Sequence, residues 1–112
     1  MDETFAWAES MDAQVTVTDS EGIILYLNKR ALAGYARSGG AALIGKNVLD
    51  CHSEKSRPLL ERLYARHEAY HYVNVSRGKR KLLHVLPWYR DGEFAGLVEI
   101  GVPLPDDFRI EE

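Results

Sequence analysis

Gln14-Val-Thr-Val-Thr-Asp-Ser-Glu-Gly-Ile-Ile-Leu-Tyr-Leu-Asn28 is the stretch that decides the fold. Val15 and Val17 alternate with Thr16 and Thr18, and β-branched residues at a period of two read as a strand. Asp19-Ser20-Glu21-Gly22 reads as a turn, because Asp bonds its own backbone onward and Gly tolerates positive φ. Ile23 to Leu27 is then a second strand, and the two make a hairpin. Asn28 reads as the N-cap of a short helix from Lys29 to about Ala36. A lone hairpin is unstable in water, so these strands must join others.

The other strands lie in the last third of the chain. Residues 70–76, 80–89 and 94–102 read as strands, joined by turns at Arg77-Gly78-Lys79 and at Arg90-Asp91-Gly92-Glu93. Adjacent hairpins of this kind form an antiparallel meander. Between the two β regions, Ser38-Gly39-Gly40 breaks the first helix, and short helical pieces follow at 41–44 and 46–50. A longer helix starts near Ser56, with Pro58 in its first turn, where a missing N–H costs nothing. Leu60, Leu63, Tyr64 and His67 follow the i, i+3, i+4, i+7 pattern of one core-facing stripe. Ahead of everything, residues 2–12 set Phe5, Trp7, Ala8 and Met11 among acidic residues, an amphipathic helix too short to stand alone. The order helix, two strands, helices, three strands predicts an α+β fold: a five-stranded antiparallel sheet, helices on one face and an N-terminal cap helix. The divisions are a cap helix over 1–12, a domain over 13–104 and an acidic tail over 105–112.

Composition narrows the function. The 112 residues carry a net charge of −3, and the basic face that nucleic-acid binders show is missing. Cys51 is the single cysteine, which rules out an internal disulfide and fits a reducing compartment. The first residues show no secretory signal pattern. No apolar run approaches the ~20 residues needed to span a bilayer. The expectation is a cytoplasmic protein without membrane or nucleic-acid partners.

Three motifs, in order and correctly spaced, resemble the PAS superfamily: Asp19-x-x-Gly22-x-Ile24-x-x-x-Asn28, then Leu43-Ile44-Gly45-Lys46, then Asp91-Gly92-Glu93-Phe94-x-Gly96-Leu97-Val98. The resemblance covers roughly residues 12–104. Asp50-Cys51-His52-Ser53-Glu54-Lys55-Ser56 and Pro87-Trp88 are similar to small bacterial single-domain PAS proteins. The resemblance implies a PAS-like sheet and a sensor role in signal transduction. Such domains bind a small molecule between sheet and helices, or pair through the outer sheet face, and signal to a separate effector. No effector segment fits in this chain, so action in trans, or origin as a fragment, is expected.

The sequence names no cofactor. In flavin-binding light sensors of this superfamily a reactive cysteine stands where this chain has Val48, and the residues that follow that cysteine are absent here. Haem-binding members use a histidine on the long helix, and the matching position falls near Arg57, which ligates no iron. Cys51-His52 supplies adjacent residues where zinc wants four spaced ligands. The reading preferred is a small buried thiol beside a histidine at the start of a helix. No nucleophile–base pair and no phosphate loop is assembled, so an enzyme is not expected.

The strand over 80–89 is the most informative. Leu82, His84, Leu86 and Trp88 share one face, and Leu83, Val85 and Pro87 the other. Both faces are apolar, so both must be covered, although an antiparallel sheet with one wet face would alternate cleanly. Matching to the PAS pattern implies that Leu83, Val85 and Val98 face the ligand side. The candidate ligand-binding set is Leu60, Leu63, Tyr64, His67, His71, Val73, Leu83, Val85 and Val98, an apolar wall with a few polar anchors. The candidate homodimer surface is Phe5, Trp7, Met11, His84, Leu86 and Trp88. Two readings stay open: a small-molecule sensor, and a ligand-free dimerisation or docking module.

Overall fold

The structure is a computed structural model that describes residues 3–112. Met1 and Asp2, part of the predicted cap helix, lie outside the described residues. Five strands form one antiparallel sheet: β1 (Gln14–Thr18), β2 (Ile24–Leu27), β3 (Tyr70–Ser76), β4 (Lys79–Arg90) and β5 (Glu93–Pro103), in the spatial order β2-β1-β5-β4-β3. The first hairpin therefore joins the last strand, with Gln14 opposite Gly101 and Val17 opposite Val98. Three helices, α1 (Lys29–Gly34), α2 (Val48–Cys51) and α3 (Arg57–Arg66), cross between β2 and β3 with two 3-10 turns at Ala36–Ser38 and Gly40–Leu43. Among the described residues no helix is long and apolar enough to cross a membrane.

The turn chemistry sets the register. Arg77 and Gly78 both take positive φ between β3 and β4, and so do Asp91 and Gly92 between β4 and β5. Two successive residues at positive φ are what a tight hairpin with matching twist requires. The predicted cap helix is shorter and tighter than expected. It is a 3-10 helix over Glu3–Ala8, whose three-residue period stacks Phe5 and Ala8 on one face. Both are buried, and Trp7 points to solvent, 63% exposed.

The core is divided. On the outer sheet face Phe5 and Ala8 pack on Val15, Val17 and Tyr26, with Trp88, Val98 and Ile100 around them. Phe5 stacks on Tyr26 at 5.2 Å and meets Trp88 edge-on at 6.0 Å. On the inner face one cluster joins Ile24, Leu27 and Ala31, and another joins Leu63, Val85 and Leu97. The valines of β1 thus belong to the outer layer, and its threonines face the helices.

Asn28 ties these layers together. It is fully buried. Its Oδ1 accepts from the N–H of Val15 and from that of Ala31, both at 3.0 Å. Its Nδ2 donates to the carbonyls of Ala8 at 2.9 Å and Ala13 at 2.8 Å. One amide caps α1, starts β1 and anchors the N-terminal segment.

Asn28→Ala strands the Val15 and Ala31 N–H groups and the Ala13 carbonyl at once, while the Ala8 carbonyl keeps the Met11 N–H, and stranded groups cost ~1–3 kcal/mol each before any relaxation. We expect a loss of about 3 kcal/mol or more in urea unfolding, with the N-terminal segment released from the sheet. Gly96 leads to a second expectation. It sits at φ 144°, and a Cβ there would lie 2.0 Å from the Thr18 carbonyl oxygen. The Thr18 oxygen is sheet backbone and a Cβ is fixed to β5, so Gly96→Ala must shift β5 from β1, at a cost of ~2 kcal/mol or more.

Candidate functional site

Between the inner clusters lies a cavity of about 1100 Å³. Its floor is the inner sheet face and its roof is built from α1, the 3-10 turns, α2 and α3. Leu83, Val85 and Leu97 supply apolar floor, and Leu60 and Tyr64 reach in from α3. Pro58 and the apolar stripe make α3 and turn that stripe toward the sheet, burying Leu63 against Val85 and Leu97.

Two polar groupings mark the cavity wall. In the first, the Tyr64 hydroxyl lies 2.5 Å from Thr18 Oγ1. Thr18 Oγ1 also accepts from the Leu97 N–H at 3.3 Å and donates to the Leu97 carbonyl at 3.2 Å. A hydroxyl has one proton, so with that proton on Leu97 the Tyr64 O–H is the donor to Thr18. Burial pushes the Tyr64 phenol up to about 12, so it is protonated at neutral pH. The second grouping centres on Glu99, half-buried on the inner face of β5. The Tyr35 hydroxyl, from the C-terminal end of α1, donates to Glu99 Oε1 at 3.3 Å. Lys81 Nζ donates to Gln14 Oε1 at 2.8 Å. That bond crosses β5 over Gly101, where a Cβ would lie 3.2 Å from Gln14 Oε1 and 3.4 Å from the Lys81 side chain. Burial raises the Glu99 carboxyl above its ordinary value, and nearby His52, Tyr35 and Lys81 pull it back only in part. Burial, reinforced by the Glu99 charge, drives Tyr35 well above the usual phenol range, and Tyr72 shifts the same way for the same reasons.

The structure sorts the candidate ligand-binding residues into three places. Leu60, Tyr64, Leu83 and Val85 line the cavity, and Leu63 lies in the cluster beside it. His71, Val73 and Val98 do not face it, which corrects the expected assignment. His71 pairs with His84 and Val73 with Leu82 across β3–β4, and Val98 pairs with Leu86. Directly opposed residues share a face, and Leu82, His84 and Leu86 are on the outer one. His67 is corrected too. The helix ends at Arg66, and His67 takes the left-handed conformation at φ 54°. Its ring stacks on Phe94 at 3.8 Å, away from the cavity lining.

The outer-face set also divides. Phe5 is 7% exposed, and Trp88 donates its Nε1–H to the Thr18 carbonyl at 2.9 Å with the Arg90 guanidinium 5.4 Å above its ring. Phe5 belongs to the interior of the chain, which removes it from the expected partner surface, and Trp88 is half-buried beside it. Leu86 and His84 are half-buried, and Trp7 and Met11 are exposed. Cys51 is exposed and at the cavity lining, not a buried small hydrophobe. Arg57 is a surface residue paired with Glu61 at 2.9 Å and Asp50 at 3.8 Å.

Sequence reasoning missed Glu99, Tyr35, Tyr72, Lys81 and Gln14. The signal for Glu99 was available: an acidic residue inside a strand whose neighbours on both sides are apolar.

No family profile and no curated protein matches the chain in sequence. Its likeness to solved structures is clear. The PAS domain of BvgS from Bordetella pertussis superposes with a TM-score of 0.73 at 17% identity, covering 93% of this chain and 85% of that one. The Aer2 receptor of Vibrio cholerae, described as a dual PAS–heme oxygen sensor, gives 0.62 at 22% identity, covering 83% and 95%. The PAS domain of the histidine kinase ThkA gives 0.67 at 14% identity, covering 82% and 99%. An antiparallel sheet in the order β2-β1-β5-β4-β3, roofed by short helices over a cavity, defines one class of α+β domain. That class is the PAS fold, and this chain has it.

The raised Glu99 carboxyl gives a pH test. Below its unfolded value, 4.5, the group is protonated in both states and contributes nothing. Above that value the unfolded chain loses the proton more readily than the folded one, so stability falls as pH rises through the folded pKa. Glu99→Gln removes this cost. We expect the variant to melt higher than the parent at pH 7.5, with the difference vanishing near pH 4. An equal difference at both pH values would show that the carboxyl's ionisation is not the cause.

Proposed function

We propose that this chain is a sensory PAS module that binds a small molecule between sheet and helices and signals to a separate effector protein. The divided core carries this reading. Close-packed interiors leave few voids larger than a water molecule, yet the two inner clusters stand apart across about 1100 Å³. A wall of Leu60, Leu83, Val85 and Leu97 with a few convergent polar groups has the make-up of a small-molecule site. The solved neighbours include a sensor kinase's PAS domain and an oxygen receptor. The proposal assigns the chain no catalytic step and a reducing, cytoplasmic setting, which its single cysteine fits. Haem is not part of the proposal, because Arg57 stands where the haem-binding resemblance puts its ligand.

A second reading is an interaction module, favoured by one observation. The N-terminal helix covers the outer face only over β2, β1, β5 and the Trp88 end of β4. Beyond it Val73 and Val75 are 49% and 66% exposed.

Native mass spectrometry of the purified protein separates the readings. A sensor carries added mass that denaturation removes. Leu60→Trp, which fills the cavity from α3, is expected to abolish that mass and leave a cooperative melt. Protein that stays unliganded, and whose Tm does not move with any fraction of a small-molecule extract, would overturn the sensor reading. In that case Val73→Glu with Val75→Glu should convert an associated species to monomer.

A further inference from the structure

The outer sheet face holds chemistry that the cavity does not use. His71 on β3 and His84 on β4 are direct cross-strand partners. Their Nδ1 atoms lie 2.8 Å apart, with the ring planes at 71°. His71 is exposed and His84 half-buried, so the pair opens to solvent on one side. Their outer-face neighbours are Val73, Leu82, Leu86, Ile100 and Val102. None of these carries a charge, so no carboxylate on the adjoining strand positions competes for the imidazoles. None is a ligand either, and among the described residues no group of three or more His, Cys, Asp or Glu is placed to hold a metal.

We propose that His71 and His84 form a two-imidazole chelate for a tetragonal divalent transition metal, Cu(II) foremost and Ni(II) next. The spacing is within reach of a shared ion. With metal–imidazole bonds of about 2.0 Å, two ligands at a right angle lie about 2.8 Å apart, and two at the tetrahedral angle about 3.3 Å. The hydrogen-bonded Nδ1 separation of 2.8 Å lets ring rotation reach a cis arrangement, and the tetragonal preference rests on the affinity order for nitrogen ligands. Two backbone positions locked in register by a seven-residue strand pairing hold the two histidines opposite each other, so binding needs side-chain rotation and no backbone movement. Cu(II) heads the affinity order for nitrogen ligands. In the free protein one Nδ1 carries a proton and the other accepts it. Binding needs both Nδ1 lone pairs, so the donor ring moves its proton to Nε2 through solvent and both rings stay neutral. Each ring then turns to aim its lone pair off the N–N line at the ion. The remaining equatorial positions face solvent and take water, which makes the site open and exchangeable.

The test uses Cys51→Ser protein, which lacks the exposed thiol that would reduce Cu(II). Titration with Cu(II), followed by calorimetry and electron paramagnetic resonance, should give one ion per chain with an axial signal split by imidazole nitrogen. His71→Ala and His84→Ala should each weaken binding roughly tenfold or more. Both positions lie on the solvent side of the sheet, and circular dichroism checks that the variants stay folded. Ni(II) should bind more tightly than Zn(II). Binding that does not saturate, or that survives both histidine substitutions, would overturn the site. Loss in His52→Ala instead would move it to the cavity mouth, and tighter Zn(II) than Ni(II) would overturn the tetragonal assignment.

Discussion

A single buried amide is the constraint on which the layers depend. Asn28 has two donors and an acceptor oxygen with two lone pairs, and its bonds to Val15, Ala31, Ala8 and Ala13 use all of them. A shorter, charged or apolar side chain cannot do this. Aspartate lacks the donors, and serine lacks the reach. Asn28 holds the last residue of the N-terminal helix where Phe5 packs on the outer face, and it joins β1 to α1 through one oxygen. The sheet thus has a covered outer side over β1 and β2, and the helices are left free to stand off from the inner side.

That stand-off is what makes the cavity. An ordinary α+β domain would drive large apolar side chains from helix into sheet until the gap closed. Here β1 presents Gln14, Thr16 and Thr18 inward, and beside Leu97 β5 presents Glu99, which asks for hydrogen bonds, and Gly101, which fills no space. The Thr18–Tyr64 bond and the Tyr35–Glu99 bond act as posts between roof and floor. Gly101 contributes by lacking a side chain, which lets Lys81 reach Gln14 across the strand.

Much of the architecture was legible in the sequence. The alternation at 14–18, the glycine turns and the apolar stripe of α3 each rest on local physics that tertiary packing did not override, and the strands fall within about a residue of their expected bounds. Which face of each strand looks inward was less legible. Alternation divides Tyr70 to Ser76 into two sets but does not say which is inside, and in an edge strand with both sets partly apolar the burial signal is weak. Register settles it, because a one-residue change of pairing exchanges the faces. The two-residue turn at Arg77-Gly78 ties His71 to His84 and so puts Tyr72 and Asn74 at the cavity, not His71 and Val73. His67 was misread for a related reason: a periodic stripe does not announce where its helix stops, and here it stops one residue too soon for His67 to share it.

The pairing of Gln14 with Gly101 brings the start of the first strand beside the end of the last. The chain enters β1 from the N-terminal helix and leaves β5 toward the tail at one shared rim, a strand's width apart, or about 5 Å. Any small slide of β5 against β1 would move the N-terminal helix relative to the tail, so the rim is where a change inside the cavity becomes a change on the outer face.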